Sequence, residues 1–106
     1  MNIDYNKILN RNMINVFKDV LVNICKNGLV GNNHLFVTFN TNHKKIKIPK
    51  WLLRKYPNQM TIVIQHEYFN LKVNKSDFEI TLSFDDTKVD LKITYDAIVS
   101  FVDPSA

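Results

Sequence analysis

Only two glycines, three prolines and one cysteine occur among the 106 residues. So little Gly and Pro leaves no room for a long flexible linker. At this length the chain is one domain with a real core and too short for two. The lone Cys25 cannot close an internal disulfide, which fits a reducing compartment, and inside a helical pattern it reads as a small buried hydrophobe. Long apolar runs are missing too. The longest span three residues, as at Val20–Val22 and Ile62–Ile64, against roughly 20 for a membrane-spanning helix. The opening Met1-Asn-Ile-Asp4 has neither the basic nor the apolar region of a signal peptide, so a cytoplasmic, non-secreted protein is expected.

Catalytic signatures are equally scarce. His34, His43 and His66 fall in different elements and show no H-x-x-x-H spacing, and no C-x-x-C pair exists, so zinc ligation would need tertiary coincidence. There is no G-x-S-x-G elbow and no phosphate-cradling glycine loop. The carboxylate pairs Asp85-Asp86 and Asp77/Glu79 sit at a turn and a strand edge, where both are expected to be solvated. Neither catalytic residues, nor a cofactor, nor a metal is expected, and the chain reads as a binding protein rather than an enzyme.

Charge of one sign is absent where it matters most. Between Val20 and His66 there is no acidic residue but seven basic ones: Lys26, Lys44, Lys45, Lys47, Lys50, Arg54 and Lys55. From Glu67 onward eight acidic residues face four lysines. The central segment is thus a candidate contact for an acidic peptide or nucleic acid. Compositional drift in a chain rich in Asn, Lys and Ile would also add lysines to a solvated surface.

What is present reads as one helix and then strands. Asp4 is placed to cap a helix that runs to Lys26 and stops at Asn27-Gly28. Leu9, Met13, Val16, Phe17, Val20 and Ile24 recur at three- and four-residue spacing as its core-facing stripe. Beside them Ile14, Leu21 and Cys25 form a second apolar strip, making an arc wider than one sheet covers. A second copy of the chain is expected to bury it, with those three residues at a helix-mediated dimer interface. His34 to Asn40 alternates, with Leu35, Val37 and Phe39 on one face and an incongruous Phe36 on the other. Lys45 to Ile48 reads as a short strand and Trp51 to Tyr56 as one or two helical turns. Met60 to Ile64 follows as a largely buried strand. Phe69, Leu71 and Val73, then Phe78, Ile80, Leu82 and Phe84, then Val89, Leu91, Ile93 and Tyr95 predict hairpin-linked strands with one buried face. Their turns are Asn74–Asp77 and Asp85–Lys88. The expected fold is mainly β with one long N-terminal helix: a helix over about 4–27 packed on a small, open barrel or bent sheet over about 34–102.

Gln65-His66-Glu67 interrupts the apolar strand, and Tyr68-Phe69 restores it at once. Gln65 and His66 can each pair with a peptide main chain, as suits a peptide laid against a sheet edge. A plain polar turn between two strands has the same composition. A small barrel that binds RNA is a further reading, since Trp51 and Tyr56 interleave with Lys44–Lys55. Against it, those aromatics lie near helical turns and the C-terminal third is acidic.

The blocks Gly28–Phe39, Ile48-Pro49, Tyr56-Pro57, Met60–His66, Leu71–Val73, Leu82–Phe84 and Phe101–Ser105 resemble, in order, the α-proteobacterial branch of the SspB family. The helix agrees in placement more than in residues. Asp85-Asp86 departs from the Gly-Gly turn usual in the family, and Tyr68-Phe69 from its usual Phe-Trp. The resemblance implies an open barrel of SH3-like (Sm-like) topology that dimerises through its N-terminal helix. It implies an adaptor that binds the ssrA tag of proteins from stalled ribosomes and delivers them to the ClpX ATPase of the ClpXP protease. Delivery would use a flexible C-terminal tail, expected beyond Ala106 and not among these residues. Within that frame Phe39 and Ile46 are expected as groove walls, Ile64 and Phe69 as floor, and Gln65 and His66 as main-chain partners. Lys44 and Lys45 are expected to steer an acidic tag. A one-residue slip in strand parity would exchange every wall for a core position.

Overall fold

A computed structural model describes residues 2–29 and 31–104. Val30, in the turn after the helix, and Ser105, at the end of the last family-like block, lie outside them.

Helix α1 spans Tyr5–Asn27. It begins where Asp4 accepts a hydrogen bond from the Lys7 backbone N–H at 3.0 Å, which satisfies one of the donors a helix start leaves orphaned. It ends at Gly28, whose φ of +71° is a left-handed value that glycine adopts without steric penalty. Strand β1 (Leu35–Asn40) follows, then a short helix α2 (Lys50–Lys55) and strands β2 (Gln59–Ile64), β3 (Tyr68–Val73), β4 (Asp77–Phe84) and β5 (Thr87–Thr94). A 3₁₀ turn over Tyr95–Ala97 leads into β6 (Ile98–Val102). Lys45–Ile48 forms no strand of its own: Lys47 makes a single antiparallel bridge to Lys92 of β5.

The strands form two three-stranded antiparallel sheets, ordered β2-β1-β6 and β3-β4-β5. The molecule is therefore mainly β and open, as the alternation predicts. Leu35, Val37 and Phe39 of β1 and Met60, Ile62 and Ile64 of β2 turn inward to meet Phe78, Ile80, Leu82, Leu91 and Ile93 of the other sheet. Phe17 of α1 joins the two. Its ring meets Phe78 at 5.5 Å, Tyr95 at 6.5 Å and Phe101 of β6 at 5.2 Å between centroids, so the helix plugs the gap between the sheets. The plug is tied down by Lys18, whose Nζ donates to the Lys75 carbonyl at 3.1 Å and sits 5.0 Å from the Tyr95 ring.

Phe17 and Ile24 are buried and Met13 and Val20 pack against the core, as the spacing predicts, but the boundary between the helix faces is shifted. Leu21 is fully buried in the chain's own core, and Ile14 packs against that core. Cys25 is exposed rather than buried, and its thiol reaches the Leu71 carbonyl of β3 at 3.7 Å. The strip Ile14–Leu21–Cys25 is thus turned to the protein's own sheet, and Leu21 is not available to a partner. Conversely Leu9 and Val16, expected in the core, are 64% and 54% exposed. The physical reason is that a helix filling a wedge between two sheets buries the side of its apolar arc that faces β3 and leaves the other flank uncovered.

The β3 alternation also slips. Asn70 has φ +55°, and between Phe69 and Lys72 the register against β4 shifts so that β3 carries one extra residue. This β-bulge reverses parity along the strand. Tyr68, Leu71 and Val73 turn toward the core, whereas Phe69 is left on the outside, 41% exposed, with the Lys88 ammonium 4.5 Å from its ring centroid.

Candidate functional site

Strands β2 and β3 each end a sheet, so each has one edge that no strand pairs. The β3 edge lies against α1 through Cys25. The β2 edge borders an open groove of about 480 Å³, lined by Thr61, Ile62 and Val63 of β2, by Gln65, His66 and Glu67, and by Leu82, Ser83 and Phe84 at the end of β4. The corner residues 65–67 carry the chain from one sheet to the other, which is why a polar break stands between two apolar strands.

The local fold follows from the two-residue period of β2. Met60, Ile62 and Ile64 point inward, so Thr61 and Val63 point out. Across the β1–β2 ladder Thr61 faces Thr38, their hydroxyls 2.7 Å apart, and Val63 faces Phe36. Phe36 in turn faces Val102 of β6. The outer surface beside the groove thus carries an apolar row, Val63–Phe36–Val102, with the His34 ring edge-on to Phe36 at 5.2 Å. This accounts for Phe36, which breaks the apolar pattern of β1 only because the outer face is apolar here too.

Two of the seven expected groove residues, Gln65 and His66, line the groove. Phe39 and Ile64 do not: both are wholly inaccessible core residues. Their strands have the opposite parity to the one a groove on that face requires. Ile46 is half-buried against the core, and Lys44 stands exposed in the turn after β1. Phe69 is removed by the β3 bulge to the outer face of the second sheet. Sequence reasoning missed Thr61, Val63, Glu67, Ser83 and Phe84. The signal for Thr61 and Val63 was the same alternation that marks Met60, Ile62 and Ile64 as core.

The unpaired β2 edge beside the groove presents N–H and C=O groups in series, the feature that strand addition uses. Among the described residues no three His, Cys, Asp or Glu side chains gather as metal ligands, and no helix is long and apolar enough to cross a membrane.

The groove thus lies between two sheets of a domain with one long N-terminal helix. The family model for stringent starvation protein B, SspB, matches residues 8–106. The chain belongs to the SspB family. SspB is a family of adaptors rather than enzymes. The match takes in nearly the whole chain, including most of α1, where resemblance in individual residues is weakest. No curated protein matches the chain.

Proposed function

We propose that this SspB-family chain recognises the ssrA degradation tag in the β2 groove and delivers tagged proteins to the ClpXP protease from the cytoplasm. The observation that supports this most is the placement of Gln65 and His66 on a groove beside an unpaired strand edge. An extended tag laid there gains affinity from main-chain hydrogen bonds and selectivity from side-chain pockets. Gln65 carries both a donor and an acceptor for it. The acid-free stretch around α2 favours a tag with carboxylates, and Lys44 and Lys45, exposed and screened, act as steering charges.

The same reading makes the protein a homodimer. Leu9, Met13, Val16 and Val20 follow one another at spacings of four, three and four along α1, the spacing of a helix–helix seam. Leu9 and Val16 are exposed, and Met13 and Val20 are half-buried. A second copy laid on this flank would cover them. Two subunits would present two C-terminal tails to one ClpX ring, raising effective concentration without a new contact.

The test is a titration of fluorescein-labelled ssrA peptide. Saturable binding tighter than about 1 mM, weakened by Gln65→Ala at nearly unchanged melting temperature, is the expected result. Weaker binding, alongside tight and strongly salt-dependent binding of single-stranded RNA, would overturn the adaptor reading in favour of a nucleic-acid module.

A further inference from the structure

Four strands end the two sheets, and three of them are guarded against pairing with another chain. β3 is bulged and lies against α1. β5 carries Lys88 and Lys92 and is bridged at Lys92 by the Lys47 backbone. β6 shifts register opposite Thr38 and Phe39. β2, Gln59-Met-Thr-Ile-Val-Ile64, has no charged residue, no proline and no register shift against β1. Charge, proline and bulges are the usual protections of an edge, and a β-branched edge without them is a template for a further strand.

The hydrogen bonds fix which residues that template offers. One step beyond the Asn40–Gln59 pair, the Thr41 N–H donates to the Asn58 carbonyl at 3.0 Å, so Thr41 and Asn58 form a bonded pair. Bonded and non-bonded pairs alternate along an antiparallel ladder. Phe39–Met60, Val37–Ile62 and Leu35–Ile64 are therefore bonded pairs as well, and Met60, Ile62 and Ile64 turn their N–H and C=O groups to β1. Thr61 and Val63, which line the groove, turn theirs to the free edge.

The side chains follow the same frame, because residues paired across neighbouring strands project from the same face. A residue of an added strand beside Val63 extends the apolar row Val63–Phe36–Val102, in which Val63 and Val102 are 43% and 54% exposed. The residue beside Thr61, two positions away, meets the Thr61–Thr38 hydroxyl pair. The residue between those two turns inward, to the side of the groove bordered by Leu82 and Phe84.

We infer that the bound peptide enters as a fourth strand of the β2-β1-β6 sheet, held by the main-chain N–H and C=O groups of Thr61 and Val63. Val63 then selects an apolar residue two positions from a small polar one. The occupant is an extended polypeptide, since the edge offers main-chain groups at a two-residue period, and the inference rests on the β2 groove being a peptide site.

The experiment is amide hydrogen exchange by NMR on the free protein and on the protein saturated with ssrA peptide. In the free protein Thr61 and Val63 should exchange at least about fivefold faster than Ile62 and Ile64, and saturation should slow only the first two by about fivefold or more. Peptides N-methylated at one residue at a time should lose affinity at alternate positions, and Val63→Thr should weaken the unmodified peptide about twofold to fivefold. A saturated complex without added protection at Thr61 and Val63, or an N-methyl scan without alternation, would overturn the inference while leaving the groove a peptide site. Protection of both amides in the free protein that falls on dilution would overturn it in favour of a second copy on this edge. Val63→Thr binding as wild type does would overturn the selectivity. Failure of the unmodified peptide to bind at all would instead remove the groove reading beneath it.

Discussion

Phe17 shows how much of this small core hangs on one side chain. It is fully buried and makes ring contacts to the second sheet, the 3₁₀ turn and β6 together. Phe17→Ala is expected to destabilise by about 3–5 kcal/mol, measured by urea denaturation, a large share of the roughly 5–15 kcal/mol typical of a domain. Tyr95 makes a different case. Its hydroxyl donates to the Asn74 carbonyl at 2.8 Å, and burial, with the nearby Asp77 and Cys25, pushes its pKa up to about 12. The folded state thus favours the neutral phenol. Its contribution is complete below the unfolded value near 10 and is lost as pH rises from about 10 through 12. Tyr95→Phe should cost about 1 kcal/mol at neutral pH and flatten the alkaline limb of the pH–stability curve. Gln65 lies at the opposite extreme, half-buried on the groove. Its loss should weaken ssrA peptide by about fivefold, a hydrogen bond of about 1 kcal/mol, and barely move the melting temperature. A protein unfolded by Gln65→Ala would make this residue structural.

At the scale of elements, the caps of α1 were legible in Asp4 and Asn27-Gly28 because capping is a local chemistry of a few residues. Asp4→Ala is expected to cost about 1 kcal/mol in thermal or urea unfolding. The β1, β2, β4 and β5 strands were legible for a similar reason, since alternation records which face is buried. β3 was not. Nothing in Tyr68-Phe-Asn-Leu-Lys-Val73 announces a bulge, and a bulge of one residue at Asn70 carries Phe69 from an expected floor to the outer surface. Asp85-Asp86 was recognisable as a turn whose backbone suits glycine better, and it does take two left-handed conformations. Replacing Asp85 by Gly should therefore stabilise the hairpin modestly, by about 1 kcal/mol.

For the whole molecule, the decisive event is the seating of α1 between two open sheets. It uses Phe17, Leu21 and Ile24 as the plug and leaves Leu9 and Val16 outside. If that flank is the dimer seam, Val16→Lys should yield a folded monomer by analytical ultracentrifugation, with tag affinity per subunit unchanged. The same substitution on a surface exposed in the native state would leave the sedimentation coefficient as it was. Leu21→Lys, by contrast, should unfold the chain, because it buries a charge inside one subunit rather than at a boundary between two.

The class of the protein is legible before anything is packed: one long helix, antiparallel strands, an open two-layer core, and a polar corner at Gln65-His66 amid family-like blocks. These are local or periodic properties, carried by neighbours a few residues apart. Packing alone settles which face of each strand borders the groove, where the bulge turns β3 over, and which flank of the helix stays free. Those choices depend on how three bodies, two sheets and a helix, share one interior, and a two-residue period reads the same from either side until something is packed against it.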